Sequence, residues 1–249
     1  MTEESFPWAL TTERAEASLL RGIGLASVPL PPGLDEREGR WKGERVSIVT
    51  RAYSGGPIEY ARFAIVRGAG LEIGNILCVP FCRYPLPILG ADLVAVRHDT
   101  GMLAIDLSPT LPPGQERETQ LHAVARARAS HPVLPPGGTL PAWCADWFSP
   151  HAVYTRGSPA DLRAAPAVVH DLVTTFLRMV DDCAPRPELD AHVGGVRQGY
   201  LAAHRTDDKG LNLLGKMFGQ EWAERYVREV LFPDMPPDPT GIDLFASTV

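Results

Sequence analysis

"ERVSIVTRAYSGGPIEYARFAIVRGAGLEIGNILCVPF", residues 44 to 81, decides the fold. It divides into three runs rich in β-branched and aromatic residues, 44–54, 58–68 and 71–81, separated by the turn sequences "SGGP" and "GAG". A helical crossover between parallel strands needs about a dozen residues, and these connections are far shorter. The three runs are therefore predicted to be antiparallel neighbours. Toward the C-terminus, "LPILGADLVAVRHDTGMLAIDLSP" (86–109) predicts two further strands, 91–97 and 102–107, paired as a hairpin through "HDTG". Toward the N-terminus, Leu19, Leu20 and Ile23 share one side of a predicted helix over 11–24, and "VPLPPGL" (28–34) is a Pro-rich connector.

Beyond residue 110 the pattern changes. Residues 116–130 predict a polar, Ala-rich helix, 131–141 a loop and 147–156 another strand. Ser158-Pro159 has the form of a helix start. Val168, Val169, Leu172, Val173, Phe176, Leu177 and Val180 then make a wide apolar helical face, in which Pro166 should either kink the helix or delay its start. Two more helices are expected, over 188–204 and 211–231, the latter with Leu211, Leu214, Phe218, Trp222 and Tyr226 at helical spacing. Consecutive strands followed by helices that need a sheet face to cover predict an α/β protein. The expected architecture is a three-layer α/β/α sandwich with a central antiparallel sheet, forming one domain over residues 1–249.

Composition narrows the function classes. Hydrophobic residues make up 45% and charged residues 22% of 249, as in an ordinary globular protein. A formal net charge of −6 disfavours a nucleic-acid binder. No apolar run approaches the ~20 residues of a membrane span. The acidic start "MTEESFPW" is unlike a secretory or transit peptide, so the expected location is the cytoplasm of a bacterium, or the plastid stroma for a mature plastid chain. Cys78, Cys82, Cys144 and Cys183 lack the paired spacing of a zinc site, and the seven histidines are scattered, so no metal is expected. No GxGxxG, Walker A, HExxH or GxSxG motif occurs, which leaves a nucleotide cofactor unsupported.

Two acidic positions invite a chemical reading. Asp92 interrupts the apolar run 91–96. On a strand it shares a face with Val94 and Val96, whereas Leu93 and Ala95 point the other way. A carboxylate on an apolar face must be paired, protonated or part of a ligand pocket. Asp207, Asp208 and Lys209 precede the last predicted helix. Asp at that place caps a helix well. An acid and a cation at a helix entrance could equally meet a polar ligand.

Four segments in order resemble one family: "LPILGADLV" (86–94), "IDLSP" (105–109), "LPAWCADWFSP" (140–150) and "DDKGLNLLGKMFGQEWAERYVREVLF" (207–232). They are similar to the ferredoxin-dependent bilin reductases, and the likeness runs from about residue 44 to 232. The resemblance implies a bilin held between the sheet and the C-terminal helices, with no bound metal or organic cofactor. It also implies single electrons from reduced ferredoxin, protons from side chains and radical intermediates, with biliverdin or 15,16-dihydrobiliverdin as substrate. Asp92 matches the family's central proton donor, whose burial would let it hold a proton near neutrality. Asp208 matches a second carboxylate used for A-ring reduction in the phycoerythrobilin- and phytochromobilin-forming branches. Asn75 stands where the phycocyanobilin-forming branch has a catalytic His, Phe63 where it has a Glu, and Gly138 where it has a propionate-binding Arg. These departures point away from phycocyanobilin. Asp207 replaces the usual Asn. Propionates would then fall to Arg62, Arg83, Arg156, Arg197 or Lys209, and acidic ferredoxin to basic residues such as Lys216, Arg225 and Arg228. A monomer is expected. Competing readings are a bilin carrier without turnover and a reductase of an open-chain chlorophyll catabolite.

Overall fold

The structure is a computed structural model. It describes residues 6–68, 70–97, 99–131, 133–206 and 208–235, without the side chains of residues 143, 208 and 209. In chain order the elements are α1 (Trp8–Ile23), β1 (Ala26–Val28), β2 (Glu36–Trp41), β3 (Glu44–Gly55), β4 (Ile58–Gly68), β5 (Leu71–Pro80), β6 (Ile88–Val96) and β7 (Thr100–Ser108). Then follow α2 (Gln115–Ala129), β8 (Val153–Gly157), α3 (Ala165–Asp181), α4 (Asp190–Arg205), α5 (Asp208–Phe218) and α6 (Gln220–Tyr226). A π-helical turn (Val227–Leu231) continues α6.

The expected antiparallel meander is present. β3, β4, β5, β6, β7 and β8 are consecutive antiparallel neighbours, and β1 and β2 both pair with β3 to complete eight strands. One face is covered by α1, α2 and α3. There Phe63, Ile76, Leu93 and Ile105 of the sheet pack with Trp8 and Leu19 of α1 and with Leu172 and Phe176 of α3. The other face carries α4, α5 and α6. There Ile48, Val66 and Leu71 meet Leu214, Met217 and Tyr226, and Leu77 and Val79 meet Tyr200 and Leu201. Tyr226 is tied to the sheet through its hydroxyl, 2.6 Å from Thr50 Oγ1.

Four local expectations change. β2 was not predicted, because "EREGRW" has no apolar alternation and is mostly exposed. It exists by pairing with β3 through the two-residue turn Lys42-Gly43, both residues at positive φ (51° and 90°), the geometry that matches strand twist. The helix expected from Ser158 begins only at Ala165, with Pro166 in its first turn, where a missing N–H costs nothing. Ser158 instead closes a turn, its N–H and hydroxyl donating to Asp161 Oδ2 at 2.9 and 2.7 Å. The strand expected over 147–156 is confined to Val153–Gly157, since Trp147 to His151 turn. The helix expected over 211–231 breaks at Gly219, whose φ of 97° only glycine adopts easily, and so yields α5 and α6.

His204 in α4 is buried against Tyr200 and Phe232, with ring centroids 4.0 and 5.0 Å away, and its Nδ1 lies 2.8 Å from Tyr200 O. Burial first, then the charge of Arg62, push its pKa down to about 4 from 6.5. Because the folded value is depressed, the stability tied to neutral His204 is complete above pH 6.5 and is lost as pH falls toward 4. The loss should approach about 3 kcal/mol. Denaturant melts of wild type and His204→Gln between pH 7 and pH 4 check this. The variant should lose markedly less over that range.

Candidate active site

On the helix-α5 side, strand register sets Ala64, Asn75, Asp92 and Ala104 side by side across β4 to β7. The next row is Val66, Ile73, Val94 and Met102. Two alanines flank the Asn–Asp pair, so no large side chain of that row covers it. The space above is a cavity of about 510 Å³, within the range of small-molecule sites. Leu213, Leu214 and Met217 of α5, with Tyr226 and Leu231, form its roof. Leu140, Pro141, Cys144 and Phe148 form a wall, and Tyr154 and Arg156 stand at its β8 end.

Asp92 is exposed into this cavity. Asn75 Nδ2 donates to Asp92 Oδ1. The apolar setting is as expected, and without a ligand the side chain is open to the cavity.

The wall has its own anchor. Asp106, 2% exposed, accepts hydrogen bonds from Ser149 N (2.7 Å), Ser149 Oγ (2.5 Å) and Ser108 Oγ (2.8 Å). Burial holds its carboxyl above the usual range, against the pull of these donors. This clamp ties the turn after Phe148 to β7 and explains why the predicted strand starts late. Asp106 was not singled out from sequence, although it and Ser149 lie in two of the four family-like segments, "IDLSP" and "WFSP".

Of the expected binding residues, Asn75 and Arg156 reach the cavity; Arg156 is exposed and stacks on Tyr154 at 5.5 Å. Arg197 does not. It is 1% exposed and bound to Glu59 Oε2 at 2.6 Å and Cys82 Sγ at 2.8 Å. Arg83 lies over the Phe81 ring at 5.4 Å and is not part of the lining. Arg62 is fully buried and also outside the lining. These three are therefore not placed to hold a propionate in this cavity. Phe63 faces the opposite layer, edge-on to Tyr53, so the residue beside Asn75 on the cavity side is Ala64. Gly138 is exposed at a φ of 96° and outside the lining. α5 begins at Asp208 and its Gly210 lines the cavity, but Asp207 and the side chains of Asp208 and Lys209 lie outside the described residues. Arg225 and Arg228 both reach Glu229, so the basic patch expected there is offset by its own acid.

A larger groove of about 820 Å³ lies on the other helical layer, between α2 and α3. Its charged lining, including Glu116, Arg126, Asp171, Arg178 and Arg186, is mixed in sign, and Arg186 is already paired with Glu116. The smaller cavity, with a carboxyl set among apolar side chains, is the better place for proton chemistry.

Fold and site together define an α/β/α protein with a carboxyl facing a mostly apolar cavity between its sheet and α5. Residues 12–233 match the family described as ferredoxin-dependent bilin reductase. The chain is 30% identical over 230 residues to a phycoerythrobilin:ferredoxin oxidoreductase from Gloeobacter violaceus, covering 88% of this chain and 92% of that one. It is 32% identical over 233 residues to a phycocyanobilin:ferredoxin oxidoreductase from a Synechococcus species, covering 90% of each. Phytochromobilin synthase from tomato, solved in complex with biliverdin, shares the fold with a TM-score of 0.80 at 18% identity, over 90% of this chain and 82% of that one. The chain belongs to the ferredoxin-dependent bilin reductases. Reduced ferredoxin is the electron donor the family name carries. Among the described residues no helix is long and apolar enough to cross a membrane.

Proposed function

We propose that this enzyme reduces biliverdin IXα or 15,16-dihydrobiliverdin to a phycobilin of the phycoerythrobilin or phytochromobilin type, with Asp92 as the central proton donor. The observation that carries this reading is the carboxyl of Asp92, held by Asn75 and open to a mostly apolar cavity. A tetrapyrrole lying on the sheet would take Asp92 out of water, which favours its protonated form. Each electron that enters the pigment from ferredoxin would then be matched by a proton from a group already beneath it.

The relatives include enzymes named for phycoerythrobilin and for phycocyanobilin at similar identity, so the branch is argued from the site. Asn75 cannot act as an acid in the place of a His, and its cavity-side neighbour on β4 is Ala64, which carries no acid. Asp208 is the second carboxyl in this reading, at the start of the helix whose Gly210 lines the cavity. Arg156, at the β8 end, is the propionate contact.

Anaerobic turnover with biliverdin, ferredoxin and a reducing system, followed by chromatography, tests the proposal. Phycoerythrobilin, phytochromobilin or 15,16-dihydrobiliverdin is the expected product. Phycocyanobilin would overturn the branch, and failure to reduce both biliverdin and, in a parallel reaction, 15,16-dihydrobiliverdin would overturn the substrate.

A further inference from the structure

Arg62 sits on the cavity side of β4, two residues from Ala64, which lines the cavity. It is fully buried, and among the described residues none of its three guanidinium nitrogens has a hydrogen-bond partner. Tyr60, His204 and Tyr226 lie within its electrostatic reach, and none of these supplies a negative charge near neutral pH. Its row of the sheet runs through Leu77 and Gly90 to Asp106. That acid is three strands away, roughly 14 Å, and is already held by two serines. A buried cation without a counter-charge costs stability, so its presence calls for a use. The cavity lies one layer of side chains away, since both Ala64 and Tyr226 line it.

We propose that Arg62 is a fixed positive charge behind the pigment cavity, which draws electrons onto the bound pigment without touching it. This rests on the bilin-reducing reading above. In each step reduced ferredoxin loses one electron and the pigment gains it. A proton then passes from a carboxyl to the pigment and neutralises the added charge. Arg62 exchanges neither electron nor proton. It stabilises the pigment during the interval in which the electron has arrived and the proton has not. At a separation of roughly 10 Å and interior screening, one unit charge biases that electron equilibrium on the order of tenfold. For a one-electron couple this is about 59 mV.

Arg62→Met and Arg62→Gln remove the charge at similar length, and Arg62→Lys retains it. Spectroelectrochemical titration of biliverdin bound to each protein, anaerobically, reads the effect. The neutral variants should bind biliverdin as wild type does, melt at or above the wild-type temperature without pigment, and take up the first electron at a potential lower by about 59 mV. Arg62→Lys should stay near wild type. An unchanged potential in both neutral variants, or an equal shift in Arg62→Lys, would overturn the proposal. So would loss of biliverdin binding, which would make Arg62 a pigment contact, or a much lower melting temperature in both neutral variants, which would make it a structural strut. Failure of the wild-type protein to bind either biliverdin or 15,16-dihydrobiliverdin overturns the substrate assignment itself, whatever the variants do.

Discussion

Replacing Asp92 with asparagine is expected to lower pigment reduction by roughly 100- to 10,000-fold, the usual cost of removing a general acid, while the pigment still binds. The substitution keeps shape and leaves Asn75 a partner, because an asparagine carbonyl can accept the bond that Asp92 Oδ1 accepts now. The apolar roof and wall of the cavity are untouched. Electrons should still arrive, so the reaction should stall at a radical. Anaerobic single turnover followed by absorbance and electron spin resonance checks this, and full wild-type product would refute the assignment.

Gly39→Ala should be strongly destabilising although it lies outside the cavity lining. Gly39 is on β2, opposite Val46, where α5 crosses closely. A Cβ there would lie 2.1 Å from the backbone oxygen of Met217 and 2.7 Å from the Phe218 ring. A backbone oxygen cannot rotate away, so α5 must move. Overpacking of this kind costs roughly 1–3 kcal/mol. The cost should come with weaker pigment binding, because Leu213, Leu214 and Met217 on the same helix roof the cavity. Gly195→Ala in α4, where a Cβ meets nothing within 4 Å, is the control and should be neutral or slightly stabilising. Thermal melts and biliverdin titrations of the two variants compare them. A Gly39→Ala protein that melts and binds like wild type would show that α5 is not held as described.

What could be read from the chain was what short-range physics dictates. The turns "SGGP", "GAG" and "HDTG" are too short for a crossover, so the antiparallel pairing of β3 with β4, β4 with β5 and β6 with β7 follows from local sequence alone. The wide apolar face of α3 likewise demands a sheet to cover. β2 escaped because its pairing is the only reason it is a strand, and Gly39 because its tight contact is with a helix about 180 residues later. The arginines escaped for the same reason. Composition says that Arg62, Arg83, Arg156 and Arg197 are cations. Whether each is buried, stacked, paired or open to a cavity depends on strand register and on which helix packs above.

Asp92 shows where the division falls. Period-two geometry was enough to put it on one face with Val94 and Val96. That this face opens to a cavity at Asp92 was decided only in three dimensions. Register sets Ala64 and Ala104 in its row, too small to cover it, and α5 passes over the sheet with a ligand-sized gap beneath. No local pattern contains that gap, because its walls come from strands and helices that meet only after folding.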